Sequence, residues 1–141
     1  MKKIFAIVIA AMLIIPNLLS ANQAKGLNVV LTSKDTQSQM MAMVLSMATL
    51  KQKKEVNMTL CSSAGDLAVK GKKSELIKPM DKSPKMMLQA IMKNGGKVTV
   101  CPLYLPNSGQ DKSVLLDGIT VAKPADVAKG LLDTEFKNLS Y

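Results

Sequence analysis

The chain has 141 residues, 48% of them hydrophobic, and a formal net charge of +9 in which all 19 cationic side chains are lysines. The absence of histidine removes imidazole general-base catalysis, the Ser-His-Asp triad, the Cys-His pair and zinc sites built on imidazole, and two cysteines alone cannot complete a structural zinc site. With no arginine and only two Phe and two Tyr, the excess charge reads as a solvated basic surface and no nucleic-acid partner is expected.

Residues 1–24 have the layout of a secretory signal peptide. Lys2 and Lys3 precede an apolar run over 4–15, Pro16 breaks it, and the small residues Ser20, Ala21 and Ala24 offer cleavage points. An apolar core of about 12 residues is short for a membrane span, which needs about 20. No cysteine lies near the cleavage points, which argues against a lipid anchor. Cleavage leaves a chain starting near Asn22 or Lys25, periplasmic or secreted and without a stable membrane span. Residues 25–141 are the length of one domain and keep 17 lysines against 10 acidic residues.

Taken in order, 27–31 (Leu-Asn-Val-Val-Leu) reads as a short strand, and the polar loop 32–36 supplies helix caps. A helix follows over 38–51, with Met40, Met43, Val44, Met47 and Leu50 on one face at the three-to-four spacing and lysines at its end. A second strand covers 56–60, with Cys61 at its carboxyl end and a turn over 62–66. A helix is able to start in 66–70, and lysine-rich 71–82 reads as loop. Ser83 and Pro84 open the next helix as cap and first turn, and Gly95-Gly96 end it. The third strand is 97–100, followed by Cys101, a loop containing Pro102, Pro106, Asn107 and Gly109, and another helical turn over 112–116. A final short strand at 119–122 and a terminal helix over 124–132 complete the pattern. Alternating strand and helix predict right-handed βαβ units and a largely parallel sheet covered on both faces, an α/β fold class.

The loop 32–37 lacks both the Gly-x-Gly-x-x-Gly fingerprint and the P-loop, so no nucleotide cofactor is expected. Met40, Met43 and Met47 lie on the stripe a core needs, which makes them packing residues rather than ligands for Cu(I); only Met41 is misplaced for that role. No metal site is expected.

Both cysteines sit at carboxyl ends of strands, where reacting groups collect in open α/β sheets. Cys101 stands out because Pro102 forces the chain out of the sheet beside the thiol. In the common strand order the first strand separates the second from the third, placing Cys61 and Cys101 about 10 Å apart at a strand spacing of about 4.8 Å. A disulfide needs Cα atoms within about 7 Å. A structural disulfide, a redox-switchable pair and two independent thiols all stay open, the last being favoured by that separation.

The run from Pro84 through Gly95-Gly96, Val98-Thr99-Val100-Cys101 and Gly109 to Leu116-Asp117-Gly118-Ile119 resembles the DsrE-like family, the sulfur-relay proteins of the DsrE and TusD type. Gly65-Asp66-Leu67-Ala68-Val69-Lys70-Gly71 is similar to that family's segment after the second strand, and the likeness extends over about 26–132. The resemblance implies a three-layer α/β/α DsrE-like domain, with a mostly parallel sheet of about five short strands and flavodoxin-like topology, that assembles as a homo-oligomer, trimer or hexamer. It also implies that Cys101 matches the family's persulfide-carrying cysteine. Cys61 is a candidate second thiol whose participation stays open, and the expected partners are a sulfur donor or acceptor protein or a small thiol. Lys97, or a helix amino terminus near Lys112, is a candidate for lowering the Cys101 thiol pKa. The alternative is a non-enzymatic binding module for a small ligand or a soft metal such as Cu(I), or a structural oligomer.

Overall fold

The computed structural model describes residues 23–141; the expected signal peptide lies outside them except for Gln23 and Ala24. Alternation with a period of two organises β1 (Gly26–Leu31), β2 (Glu55–Leu60) and β3 (Lys97–Val100). Val29, Leu31, Met58, Leu60, Val98 and Val100 share one face of the sheet and are buried. β4 (Thr120–Val121) and β5 (Phe136–Ser140) complete five parallel strands in the order β4-β3-β2-β1-β5.

On the apolar face lie α1 (Thr36–Lys51) and α2 (Pro84–Lys93). Each starts where the sequence places a cap. The Asp35 carboxylate accepts from the Ser38 N–H at 2.7 Å, and the Ser83 hydroxyl accepts from the Met86 N–H at 3.2 Å, with Pro84 in the first turn. Met40 and Met43 of α1 and Met87, Leu88 and Ile91 of α2 fill the core, Met47 packs against it half-buried, and Met41 is exposed. The methionine stripe is therefore core, as expected. Burying a side chain of this size stabilises the fold by about 1.5–3 kcal/mol relative to exposure. The turn into β3 is tight: a Cβ at Gly96 would fall 2.4 Å from Ile91 Cγ2.

After β3 come a short α3 (Tyr104–Asn107) and a 3-10 turn (Lys112–Val114), and then α4 (Pro124–Leu132) crosses the opposite face of the sheet. The result is the three-layer α/β/α DsrE-like fold read from the sequence. Four particulars differ. β2 lies between β1 and β3, where the sequence reading placed β1 between β2 and β3. β5 follows the last helix, where the sequence reading placed no strand; its side chains are half-buried or exposed and lack a strand's apolar alternation. The segment expected to start a helix at 66–70 belongs to a 3-10 helix, Ser62–Ala68, which also takes up the expected turn. The loop after Cys101 contains α3, since Pro106 is tolerated within a helix's first turn. Among the described residues no helix is long and apolar enough to cross a membrane.

The face under α4 is polar. Asn138, Asn28, Asn57 and Lys97 form one row across β5, β1, β2 and β3, and Ser140, Val30, Thr59, Thr99 and Thr120 form a second row that reaches β4. Asn57 Nδ2 donates to Asn28 Oδ1 at 3.0 Å, and Asn28 Nδ2 donates to Asn138 Oδ1 at 3.2 Å and to the Gly130 carbonyl at 2.6 Å. Asn138 Nδ2 donates to the Leu131 carbonyl at 2.7 Å. Carbonyls near the carboxyl end of α4 are thus tied to the sheet by amides, and α4 buries no side chain completely.

Candidate functional site: a paired-thiol cleft

Cys61 and Cys101 each stand one residue beyond the paired positions Leu60 and Val100. Backbone hydrogen bonds still hold both to the sheet: the Cys61 N–H donates to the Leu31 carbonyl and the Cys101 N–H to the Leu60 carbonyl, each at 2.8 Å. Because β2 and β3 are neighbours, the two cysteines are about one strand spacing apart, about 4.8 Å. The expected separation of about 10 Å is therefore corrected, and its cause is the strand order alone. Both are free thiols and half-buried, and their spacing lies inside the limit of about 7 Å that a disulfide requires.

The chain leaves each cysteine by a sharp turn. Ser62 adopts φ +51°, a left-handed conformation that is strained for a residue with a Cβ, and leads into the 3-10 helix, whose Ala64 N–H returns to the Cys61 carbonyl at 3.1 Å. Pro102 turns the chain out after Cys101, and the Tyr104 N–H donates back to the Cys101 carbonyl at 3.0 Å. Gly109 takes φ +64° at the end of α3, with its N–H on the Pro106 carbonyl, and does not line the cleft. Its place eight residues after the cysteine is explained by ending this helical turn.

The two turns are locked together by Tyr104. Its ring lies directly on Gly65, where a Cβ would come within 2.3 Å of a ring carbon. Its hydroxyl donates to Asp66 Oδ1 at 2.5 Å, and Lys72 Nζ approaches Asp66 Oδ2 at 3.4 Å. Burial first, and the Asp66 carboxylate second, push the Tyr104 hydroxyl well above the usual phenol range, so it stays a donor. Nearby, Lys85 Nζ donates to the Val69 and Lys72 carbonyls, and burial lowers its pKa.

Between the turns is a cleft of about 590 Å³, lined by Cys61, Ser62, Ser63, Asp66, Cys101, Leu103, Tyr104, Asn107 and Ser108. Desolvation by burial, followed by the influence of Cys101, pushes the Cys61 thiol up to about 11. Cys61 therefore keeps its proton at neutral pH. Neither candidate for tuning Cys101 is in place. Lys97 begins β3, about 13 Å along the strand from Cys101, and pairs with Glu55 at 3.6 Å. Lys112 lines a separate hollow with Pro102, Leu105 and Pro106.

The sequence reading identified both thiols but missed Tyr104, Ser62, Ser63 and Asn107 as cleft residues. A signal existed in part: Gly65-Asp66 follows one cysteine and a rare tyrosine follows the other by three residues. Among the described residues no group of three or more His, Cys, Asp or Glu side chains is placed to hold a metal ion. The paired thiols are arranged for thiol exchange: a sulfur attached to either one lies within reach of the other.

No protein-family model matches the chain, and no curated protein matches it. Solved structures do. The ychN protein of E. coli superposes with a TM-score of 0.69 at 18% identity, covering 84% of this chain and 100% of that one. MTH1491 of Methanobacterium thermoautotrophicum, a protein of unknown function, superposes with a TM-score of 0.61 at 13% identity, covering 82% and 98%. At these identities the likeness is one of fold.

Proposed function

We propose that this protein is an exported sulfur carrier that holds a persulfide on Cys101. The observation that carries the reading is the pairing of two free thiols at the carboxyl ends of adjacent strands, on an open cleft. The DsrE-like fold supports it, as does the resemblance of the segment around Cys101 to the sulfur-relay proteins. Burial favours the protonated form of the Cys61 thiol.

The transfer needs no metal and no histidine. The Cys101 thiolate attacks the outer sulfur of a donor persulfide, the donor's S–S bond breaks, and the donor leaves as a thiolate. An acceptor thiolate then attacks the outer sulfur of Cys101–S–SH and takes it, returning Cys101 as thiolate. Ser62, Ser63 and Asn107 surround the carried sulfur with hydrogen-bonding groups. The partners are a donor or acceptor protein or a small thiol. The carrier assembles as a homo-oligomer, a trimer or hexamer, in the periplasm or outside the cell. The leader-like pattern over 1–24 supports export, and exposed Met41 and Leu45 on an α1 face without charge before Lys51 support self-association.

Intact-mass measurement after exposure to a persulfide donor tests the carrier. The expected product is a gain of one sulfur that is lost in Cys101→Ser and kept in Cys61→Ser. Absence of any adduct in all three proteins overturns the reading. The same thiol pair favours a second reading, a binding module for Cu(I), since two adjacent thiolates suit a soft cation. Titration with Cu(I) that saturates at one ion per chain and fails in either cysteine variant would establish that alternative.

A further inference from the structure

We infer that Cys61 is the resolving thiol for Cys101: it discharges the carried sulfur as hydrosulfide and closes a Cys61–Cys101 disulfide. The inference rests on the carrier reading above and adds to it a second activity, reductive release of sulfide.

The geometry comes from the strand order. Cys61 and Cys101 succeed residues in register on adjacent parallel strands, and each is pinned by its own N–H to the neighbouring strand. Two residues upstream in the same row, Thr59 Oγ1 and Thr99 Oγ1 approach to 3.3 Å, so side chains in this row meet across the strand gap. Both sulfurs open on one cleft, whose two turns are held together by the Tyr104–Asp66 bond. A thiol so placed reaches the inner sulfur of a persulfide on its neighbour without movement of the backbone.

The step balances. The Cys61 thiolate attacks Sγ of Cys101–S–SH, a Cys61–Cys101 S–S bond forms, and the bond to the outer sulfur breaks. Hydrosulfide leaves with the electron pair and takes up a proton. The sulfane sulfur is reduced, and the two cysteine sulfurs are oxidised to the disulfide. A dithiol reductant then returns the pair to thiols and is itself oxidised to a disulfide.

Burial supplies the timing. The titratable groups that face Cys61 are Cys101 beyond β3, Asp66 from the 3-10 helix and Tyr104 from α3; β1 offers only the Leu31 carbonyl to its backbone N–H. Among the described residues no lysine lines the cleft, and Lys72 meets Asp66 at 3.4 Å. Burial holds the Cys61 thiol up to about 11, which keeps it protonated at neutral pH and slows its attack on the neighbouring sulfur.

The test follows the intact mass of the protein after brief exposure to inorganic polysulfide, with released sulfide measured in parallel. The wild-type adduct of one extra sulfur is expected to give way to a species lacking two hydrogens, with one sulfide released per chain. Peptide mapping should place the new disulfide between Cys61 and Cys101, a readout that needs no variant. In Cys61→Ser, and in Cys61→Ala should the serine variant fold poorly, the adduct should last at least about tenfold longer. A wild-type adduct as long-lived as that of the variants, or one lost without the disulfide, overturns the inference and leaves the carrier reading standing. Failure of the Cys61 variants to gain sulfur at all overturns the carrier reading itself, and the inference with it.

Discussion

Val29, Met58 and Val98 on one face of the sheet, and Asn28, Asn57 and Lys97 on the other, alternate along the same three strands. The first set is buried under α1 and α2 among Met43, Leu88 and Ile91, where removal of apolar surface from water holds the layers together. The second set borders a groove of about 420 Å³ that α4 covers only in part, and the helix is held there by asparagine amides on its carbonyls. Apolar burial is non-directional and spreads over many side chains, so the first face tolerates no large void but has no single critical bond. A hydrogen-bonded row concentrates its effect in a few positions, Asn28 above all.

That contrast can be broken in three places. Ile91→Ala should cost the most, about 2–5 kcal/mol, because a fully buried side chain leaves a cavity that its neighbours fill incompletely. The denaturant midpoint reports it, and the loss should be global. Asn28→Ala should cost about 1–3 kcal/mol, since Asn57, Asn138 and the Gly130 carbonyl lose a common partner. Its signature is local: hydrogen exchange should rise in α4 and β5 before it rises in α1 and α2. Thr59→Val should change stability least, by less than about 1 kcal/mol, because among the described residues its side chain pairs only with half-buried Thr99. A valine variant as damaging as Asn28→Ala would show that the polar face acts as one continuous network and not through Asn28.

The closed face was also the legible one. The caps at Asp35 and Ser83, the methionine stripe and the first three strands follow from local pattern, because period, cap chemistry and burial agree there. β5 was not legible. Asn138 and Ser140 face the polar side and Lys137 is exposed, so the strand shows no alternation of apolar and polar residues. The order of the strands was hidden for a different reason. Every crossover carries helix, and nothing local states on which side of β1 the next strand lies. Both thiols were visible at strand ends, but their adjacency depends on that order. Gly65 was noticed as part of a family-like segment, whereas its cause, the Tyr104 ring lying on it, required two distant turns to meet.

That stacked ring has a further consequence for access to the sulfurs. Opening the cleft by swinging out either turn would require lifting an aromatic ring from a bare backbone and breaking a phenol–carboxylate bond in the same movement. The two turns around the cysteines are therefore coupled to one another through Tyr104. In the proposed carrier role the mouth between them is the route for sulfur, and exposed Leu103 stands beside it.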